Sequence, residues 1–255
     1  MNDLNALFRK RIGIKEGEKL TFEGLDDILE RIAKTIPFEN LAIIASNLND
    51  INKENIINKL LVRNEGGVCY ELNAALYFFL ADNDFEVTLF RGVIYNQGWT
   101  TIGRTHVTIL LNHDGQTYLV DTGFGGNLPL KPVPLNGETV ISPNGEFRIK
   151  KVNTEHGNYI LELKLKYKDP DWKIGYAFDS SNPVGNVAEL NEVQTIISED
   201  PQSPFNKHRL ITRLTNSGNI TLTDTSFTQW VDGKVTKEEI DGKQFNELMK
   251  QHFDK

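Results

Sequence analysis

Cys69 is the only cysteine in the chain. It stands in the stretch EGGVCYELN, residues 65–73, where two glycines precede it and an apolar, helix-like run comes after it. Gly66 and Gly67 have access to backbone conformations that other residues resist, so the stretch predicts a sharp turn into a helix, with Cys69 in its first turn. The unpaired N–H groups and positive dipole end found there favour an ionised, nucleophilic thiol and can hold a developing oxyanion. A packed structural thiol has the same local signature, and a lone cysteine taken by itself reads as one more small hydrophobe.

A nucleophilic thiol needs a base, and the chain offers five histidines. His113 and His156 fall in polar turns and His252 lies near the C-terminus, whereas His106 and His208 each open an apolar strand. His106 is singled out by the strand it opens. That strand, HVTILL, leads through the turn NHDGQ into TYLVD, which ends in Asp121. Strands joined by so short a turn pair antiparallel, so His106 and Asp121 are expected as neighbours. A carboxylate there fixes the imidazole tautomer and stabilises its charged form. Alone, Asp121 reads as a turn former before Gly123 and His106 as a satisfied strand histidine; the pairing makes them a constellation. Next comes GFGGNLP, residues 123–129, whose glycines around an aromatic suit a wall against phosphates or a pantetheine arm. It is not a Walker loop, since it is not succeeded by Gly-Lys-Ser/Thr, and no metal-ligand spacing is present.

The elements that must position these groups can be read from periodicity. Leu25, Ile28, Leu29, Ile32, Ala33 and Ile36 share one helical face, with Pro37 ending the run. Ile56, Ile57, Leu60 and Leu61 repeat the pattern in residues 52–64, as do Leu72, Ala75, Leu76, Phe79 and Leu80 after Cys69. From residue 85 the period shortens to that of strands: 85–95, 105–112 and 116–121, then a hairpin of 146–152 and 159–167, and 172–179. A helix over 188–199, an irregular EDPQSPF, a hairpin over 208–224 and a closing helix over 243–253 complete the chain. Helices first, strands next and a mixed end make an α+β fold rather than alternating βαβ units.

The composition is that of a globular chain with 39% hydrophobic and 25% charged residues, and the formal charge of −7 gives no footprint for nucleic acid. A single cysteine cannot form an internal disulfide and suits a reducing compartment. The N-terminus lacks a signal-peptide layout, and the longest apolar run, AALYFFLA, is far shorter than a membrane span. A cytoplasmic protein with neither membrane nor nucleic-acid partners is therefore expected.

The chain resembles the arylamine N-acetyltransferases. The resemblance rests on PFENL (37–41), GGVCYELN (66–73), THVTILL (105–111), YLVDTGFGG (118–126), WKIGYAFD (172–179) and ISEDPQSPF (197–205), in family order and spacing. It implies a helical domain over 1–84, a β-barrel domain over 85–185 and an α/β lid over 186–255, with a core like that of cysteine proteases and transglutaminases. It also implies a Cys–His–Asp triad on Cys69, His106 and Asp121. Acetyl-coenzyme A would acetylate Cys69 as a cosubstrate, with no tightly bound cofactor, and an arylamine or arylhydrazine would then take the acetyl group. Phe38 and Phe124 match positions that shape the acceptor pocket, and Gly103, Gly125 and Gly126 match the region near pantetheine and phosphates. Glu65 departs from the family, which usually has arginine there; a carboxylate turned toward the thiol would oppose its ionisation. Two rival readings share these residues: a papain- or transglutaminase-like thiol hydrolase, and a catalytically weak homologue with a binding role.

Overall fold

The computed structural model describes residues 3–253. The N-terminal part is helical: α1 (Leu4–Ile12), α2 (Leu25–Thr35), α3 (Leu41–Ile44), α4 (Lys53–Ile56) and α5 (Cys69–Ala81), with the two-residue strand β1 (Phe38–Glu39) between α2 and α3. The expected helical face of α2 is buried throughout. The helix expected over 52–64 forms, but after α4 it continues as π-helix over Ile57–Val62. Helix α5 is hidden on nearly every side, with Tyr70, Ala74, Leu76, Phe79 and Leu80 at 0% exposure, which a continuous apolar run requires.

Eight strands come next: β2 (Glu86–Ile94), β3 (His106–His113), β4 (Gln116–Val120), β5 (Val133–Pro134), β6 (Val140–Ser142), β7 (Gly145–Thr154), β8 (Gly157–Leu165) and β9 (Lys173–Pro183). They form one antiparallel sheet in the order β5-β4-β3-β2-β9-β8-β7-β6, and β5 returns against β7, so that the sheet nearly closes into a barrel. Its interior is filled by Leu110, Leu119, Phe147, Leu161, Tyr176 and Phe178, while Val107, Ile109, Leu111 and Val120 face the helices. Strand β3 is thus buried on both faces, and its alternation sends His106, Thr108 and Leu110 to one side and the intervening residues to the other.

Helix α6 (Leu190–Glu199) leads to a second antiparallel sheet built from β10 (Leu210–Leu214), β11 (Gly218–Thr223), β12 (Ser226–Val231) and β13 (Lys234–Glu239), covered by α7 (Gly242–Phe253). Strand β1 joins its edge, Phe38 opposite Thr212 and Glu39 opposite Ile211, so the PFENL segment is bound into the C-terminal sheet. The β7–β8 connection is tighter than NTEHGN suggests, since Thr154 and Gly157 already pair across it. Among the described residues no helix is long and apolar enough to cross a membrane.

Candidate active site

The turn ahead of Cys69 is sharp, but its glycines serve closeness rather than unusual dihedrals: neither Gly66 nor Gly67 has positive φ. A Cβ on Gly66 would stand 2.2 Å from the Pro37 carbonyl oxygen, and one on Gly67 would stand 2.7 Å from Glu71 Oε2. The room is used. Gly66 N–H donates to Glu39 Oε1 at 2.8 Å, and Glu39 N–H donates to the Gly67 carbonyl at 2.9 Å. Glu71 reaches back to accept from Val68 N–H at 3.1 Å and from Lys59 Nζ at 2.5 Å, closing the start of α5. Cys69 is therefore the first residue of α5, as expected, and it is 6% exposed. Glu65 turns to the surface, where its carboxylate meets the Arg63 guanidinium at 2.8 and 3.1 Å.

His106 and Asp121 are neighbours. The β3–β4 turn holds Asp114 and Gly115 both at positive φ, the geometry of a two-residue type I′ hairpin, and Asp121 comes directly after the last paired residue of β4. His106 Nε2 lies 2.7 Å from Asp121 Oδ2. Cys69 is close enough to His106 to add to the interactions that favour its charged form. Cys69 Sγ also lies 3.4 Å from the Thr105 carbonyl oxygen.

Asp121 is 2% exposed and accepts from four donors. Oδ1 takes Asn73 Nδ2 at 2.8 Å and Gly123 N–H at 2.7 Å; Oδ2 takes His106 and the Tyr176 hydroxyl, both at 2.7 Å. Burial alone would neutralise His106, but the charge and hydrogen bond of Asp121, aided by Cys69, outweigh it and push the imidazole up to about 10. Burial would likewise raise Asp121, yet the His106 charge and the bonds from His106, Asn73 and Tyr176 hold it below the usual carboxylate range. The result is a charged imidazole beside a thiol, held by a carboxylate with no spare lone pair.

A cavity of about 680 Å³ opens over Cys69 and His106. Phe38, Phe124, Gly125 and Gly126 line it, together with Trp99 and Phe205, which the motifs did not flag individually. Gly103 does not line it; this residue sits exposed in the β2–β3 loop at φ +77°. Gly123 brings the glycine loop against α5, since a Cβ there would stand 2.6 Å from Cys69 Cα. Asn40 fastens the opposite wall through hydrogen bonds to the carbonyls of Phe205 and His208 and from Leu210 N–H. Asn73, Tyr176, Glu39 and Asn40 are the supporting residues that sequence reasoning did not assign. Each lies inside a quoted motif, and that was the available signal. Among the described residues no cluster of His, Cys, Asp and Glu is placed to hold a metal ion.

Comparison with known proteins gives a consistent result. A family model described as N-acetyltransferase matches residues 21–254. The Bacillus subtilis (strain 168) protein YvcN, an uncharacterized acetyltransferase, is 40% identical, with 93% of each chain covered. A probable arylamine N-acetyltransferase 3 of Dictyostelium discoideum is 31% identical over 96% of this chain and 91% of its own. Among solved structures, the Bacillus cereus arylamine N-acetyltransferase superposes with a TM-score of 0.93 at 42% identity, covering 99% of this chain and 98% of that one. That enzyme is described as having a unique Cys-His-Glu catalytic triad, whereas the acid bonded to His106 here is an aspartate.

Proposed function

The chain belongs to the arylamine N-acetyltransferase family and is an acetyl-coenzyme A-dependent N-acetyltransferase; we propose that Cys69, His106 and Asp121 carry its reaction through an acetyl-thioester on Cys69. The supporting observation is that Cys69 and His106 line the same cavity while Asp121 holds His106 from behind at 2.7 Å. In the first half-reaction Cys69 Sγ attacks the thioester carbonyl, the carbon–sulfur bond to coenzyme A breaks, and the departing thiol takes its proton from His106. In the second, the amine attacks the acetyl carbonyl, His106 accepts the amine proton, and Cys69 leaves as the thiolate. Val68 N–H and Glu71 N–H are taken within the turn, which leaves the Cys69 and Tyr70 N–H groups at the start of α5 to stabilise the oxyanion in both steps.

In this reading Phe38 and Phe124 flank the aromatic acceptor, an amine or hydrazine, and the backbone of Gly125 and Gly126 lies along the cosubstrate. Gly103 acts at a distance, by setting the path of the loop that carries Trp99 and Thr105. Coenzyme A is released in each cycle rather than retained. Residues 1–84 supply the nucleophile and 85–185 the base and acid, while 186–255 close the cavity with Ile197, Phe205 and Thr212. Hydrolysis would use the same acyl-enzyme, but the aromatic walls give an arylamine a surface that water does not need. Acetyl-coenzyme A turnover with and without an aniline tests this: strong acceleration by the amine is expected, and equal rates would make the protein a thioesterase.

A further inference from the structure

The glycine wall of the cavity is held from outside the cavity. Residues 121–132 belong to no strand, yet Phe124, Gly125, Gly126 and Asn127 line the cavity beside Cys69. At its start the loop is tied to the triad: Gly123 N–H donates to Asp121, and the centroid of the Phe124 ring lies 5.2 Å from that of His106. Further along, Asn144 Nδ2 donates to the Gly126 carbonyl at 3.0 Å and to the Leu128 carbonyl at 2.9 Å. A carboxamide has two N–H bonds, so both are spent on this one loop. Asn144 itself does not line the cavity; it lines a separate one of about 140 Å³. Its place is fixed at the tip of the β6–β7 hairpin. Lys166 N–H donates to its carbonyl at 2.9 Å and its own N–H donates to Ser142 Oγ at 3.2 Å. The next residue, Gly145, at φ +150°, has no room for a Cβ against the Lys164 carbonyl.

We propose that Asn144 is a positioning residue for acetyl transfer: its carboxamide clamps the Gly126 and Leu128 carbonyls and so sets the wall against which both substrates lie. This role rests on the acetyl-transfer reading above, in which Phe124 flanks the acceptor and the Gly125 and Gly126 backbone lies along the cosubstrate. Gly125, at φ +59°, and Gly126 have no side chains with which to pack, so the wall keeps its shape through backbone bonds. Leu128 anchors the loop in an apolar cluster with Ala33, Leu130 and Leu214, but apolar burial is non-directional and does not fix where a carbonyl points. Two hydrogen bonds from one planar group to carbonyls two residues apart do fix it.

Asn144→Asp and Asn144→Ala separate the clamp from the turn that carries it. Aspartate keeps the shape and turn preference of asparagine but sets a carboxylate against two carbonyls, whereas alanine only removes the donors. A residue needed for the turn alone would tolerate aspartate better than alanine; the clamp predicts the reverse order. In single-turnover loading followed by intact mass, the half-saturating acetyl-coenzyme A concentration should rise about tenfold in Asn144→Asp and less in Asn144→Ala, with the maximal loading rate kept within about threefold. Alkylation of Cys69 by iodoacetamide should stay within about twofold of the unmodified protein in both, since Asn144 bonds to no member of the triad. Backbone hydrogen exchange should quicken over residues 124–130 and not over α5. An unchanged half-saturation overturns the positioning role even if exchange quickens, and so does alkylation that slows in step with loading. Should Asn144→Asp not fold, Asn144→Ala carries the same comparison without the added charge. An unmodified protein that takes no acetyl group from acetyl-coenzyme A overturns the acetyl-transfer reading instead, and the exchange measurement still decides whether Asn144 holds the loop.

Discussion

Asn73 and Asp121, 48 residues apart, are joined by a 2.8 Å hydrogen bond from Nδ2 to Oδ1. Asn73 stands four residues after Cys69 on the same helix, so one face of α5 carries both the thiol and a group that orients the acid. Its Nδ2 also donates to the Val107 carbonyl at 2.6 Å, and its Oδ1 accepts from Thr122 N–H at 2.9 Å. Asn73 thereby fixes the nucleophile helix against both strands of the hairpin.

Replacing Asn73 with leucine removes these bonds and leaves Thr122 N–H and one lobe of Asp121 short of partners. A stability loss of about 2–4 kcal/mol is expected from such orphaned buried groups. Denaturant unfolding measures it, and the loading rate should fall as well. A variant as stable as the parent would show that the network reorganises freely.

Asp121→Asn keeps the size but removes the charge that holds His106 protonated, and it presents a donor where only acceptors fit. Acetyl transfer should fall by about three to four orders of magnitude, and iodoacetamide should alkylate Cys69 more slowly at neutral pH. Stopped-flow loading and timed alkylation read the two effects separately. Full turnover in a folded variant would return Asp121 to the role of a turn residue.

Two glycines of the same loop should respond differently to alanine. At Gly123 the new Cβ would collide with the backbone of Cys69 at 2.6 Å, while at Gly126 it meets only the end of the Asn219 side chain at 3.2 Å. Gly123→Ala is expected to cost about 1–3 kcal/mol and most of the activity, as overpacking does, and Gly126→Ala well under half of that. Thermal unfolding and single-turnover loading check the contrast; equal effects would mean that the loop does not rest on α5.

The hairpin that makes the triad was legible because its cause is local. Asp114-Gly115 dictates a two-residue turn, and counting back from it sets Thr108 opposite Asp121, with His106 two residues further along the same face and so diagonal to the carboxylate. The position of Cys69 was equally local. The glycines before it were expected to turn by unusual dihedrals, but they are required for packing against Pro37 and Glu71, and no single-stretch reading contains those partners. Tyr176, which reaches Asp121 from the far side of the barrel, and β1, two residues long and paired with β10, depend on closure of the whole fold. The alternation in β9 shows that Tyr176 faces inward, but not which residue it meets. Glu65 could not be placed from its neighbours either; its pairing with Arg63 keeps it at the surface.

Stability should vary with pH through the buried pair. The folded His106 value of about 10 lies above its ordinary 6.5, so its contribution is complete below pH 6.5 and lost as pH rises toward 10. Asp121 is shifted the other way: its contribution is present above 3.8 and lost as pH falls through its lowered folded value. The unfolding free energy of the protein should therefore exceed that of His106→Gln most clearly near pH 6, by on the order of a few kcal/mol, and the gap should close by pH 10. A gap that widens from pH 6 to 10 would reverse the sign of the assigned shift.

The covalent route is tested most directly by intact-mass spectrometry after rapid mixing with acetyl-coenzyme A alone. Cys69 is the only thiol, so one thioester site exists. The protein should gain the mass of a single acetyl group and release one equivalent of coenzyme A before any amine is present. Adding an arylamine should restore the starting mass with formation of the acetylated amine, and Cys69→Ser should gain little or nothing. Product formation only when both substrates are present, with no adduct at the shortest quench times, would contradict the acetyl-cysteine intermediate and leave Cys69 a packed thiol.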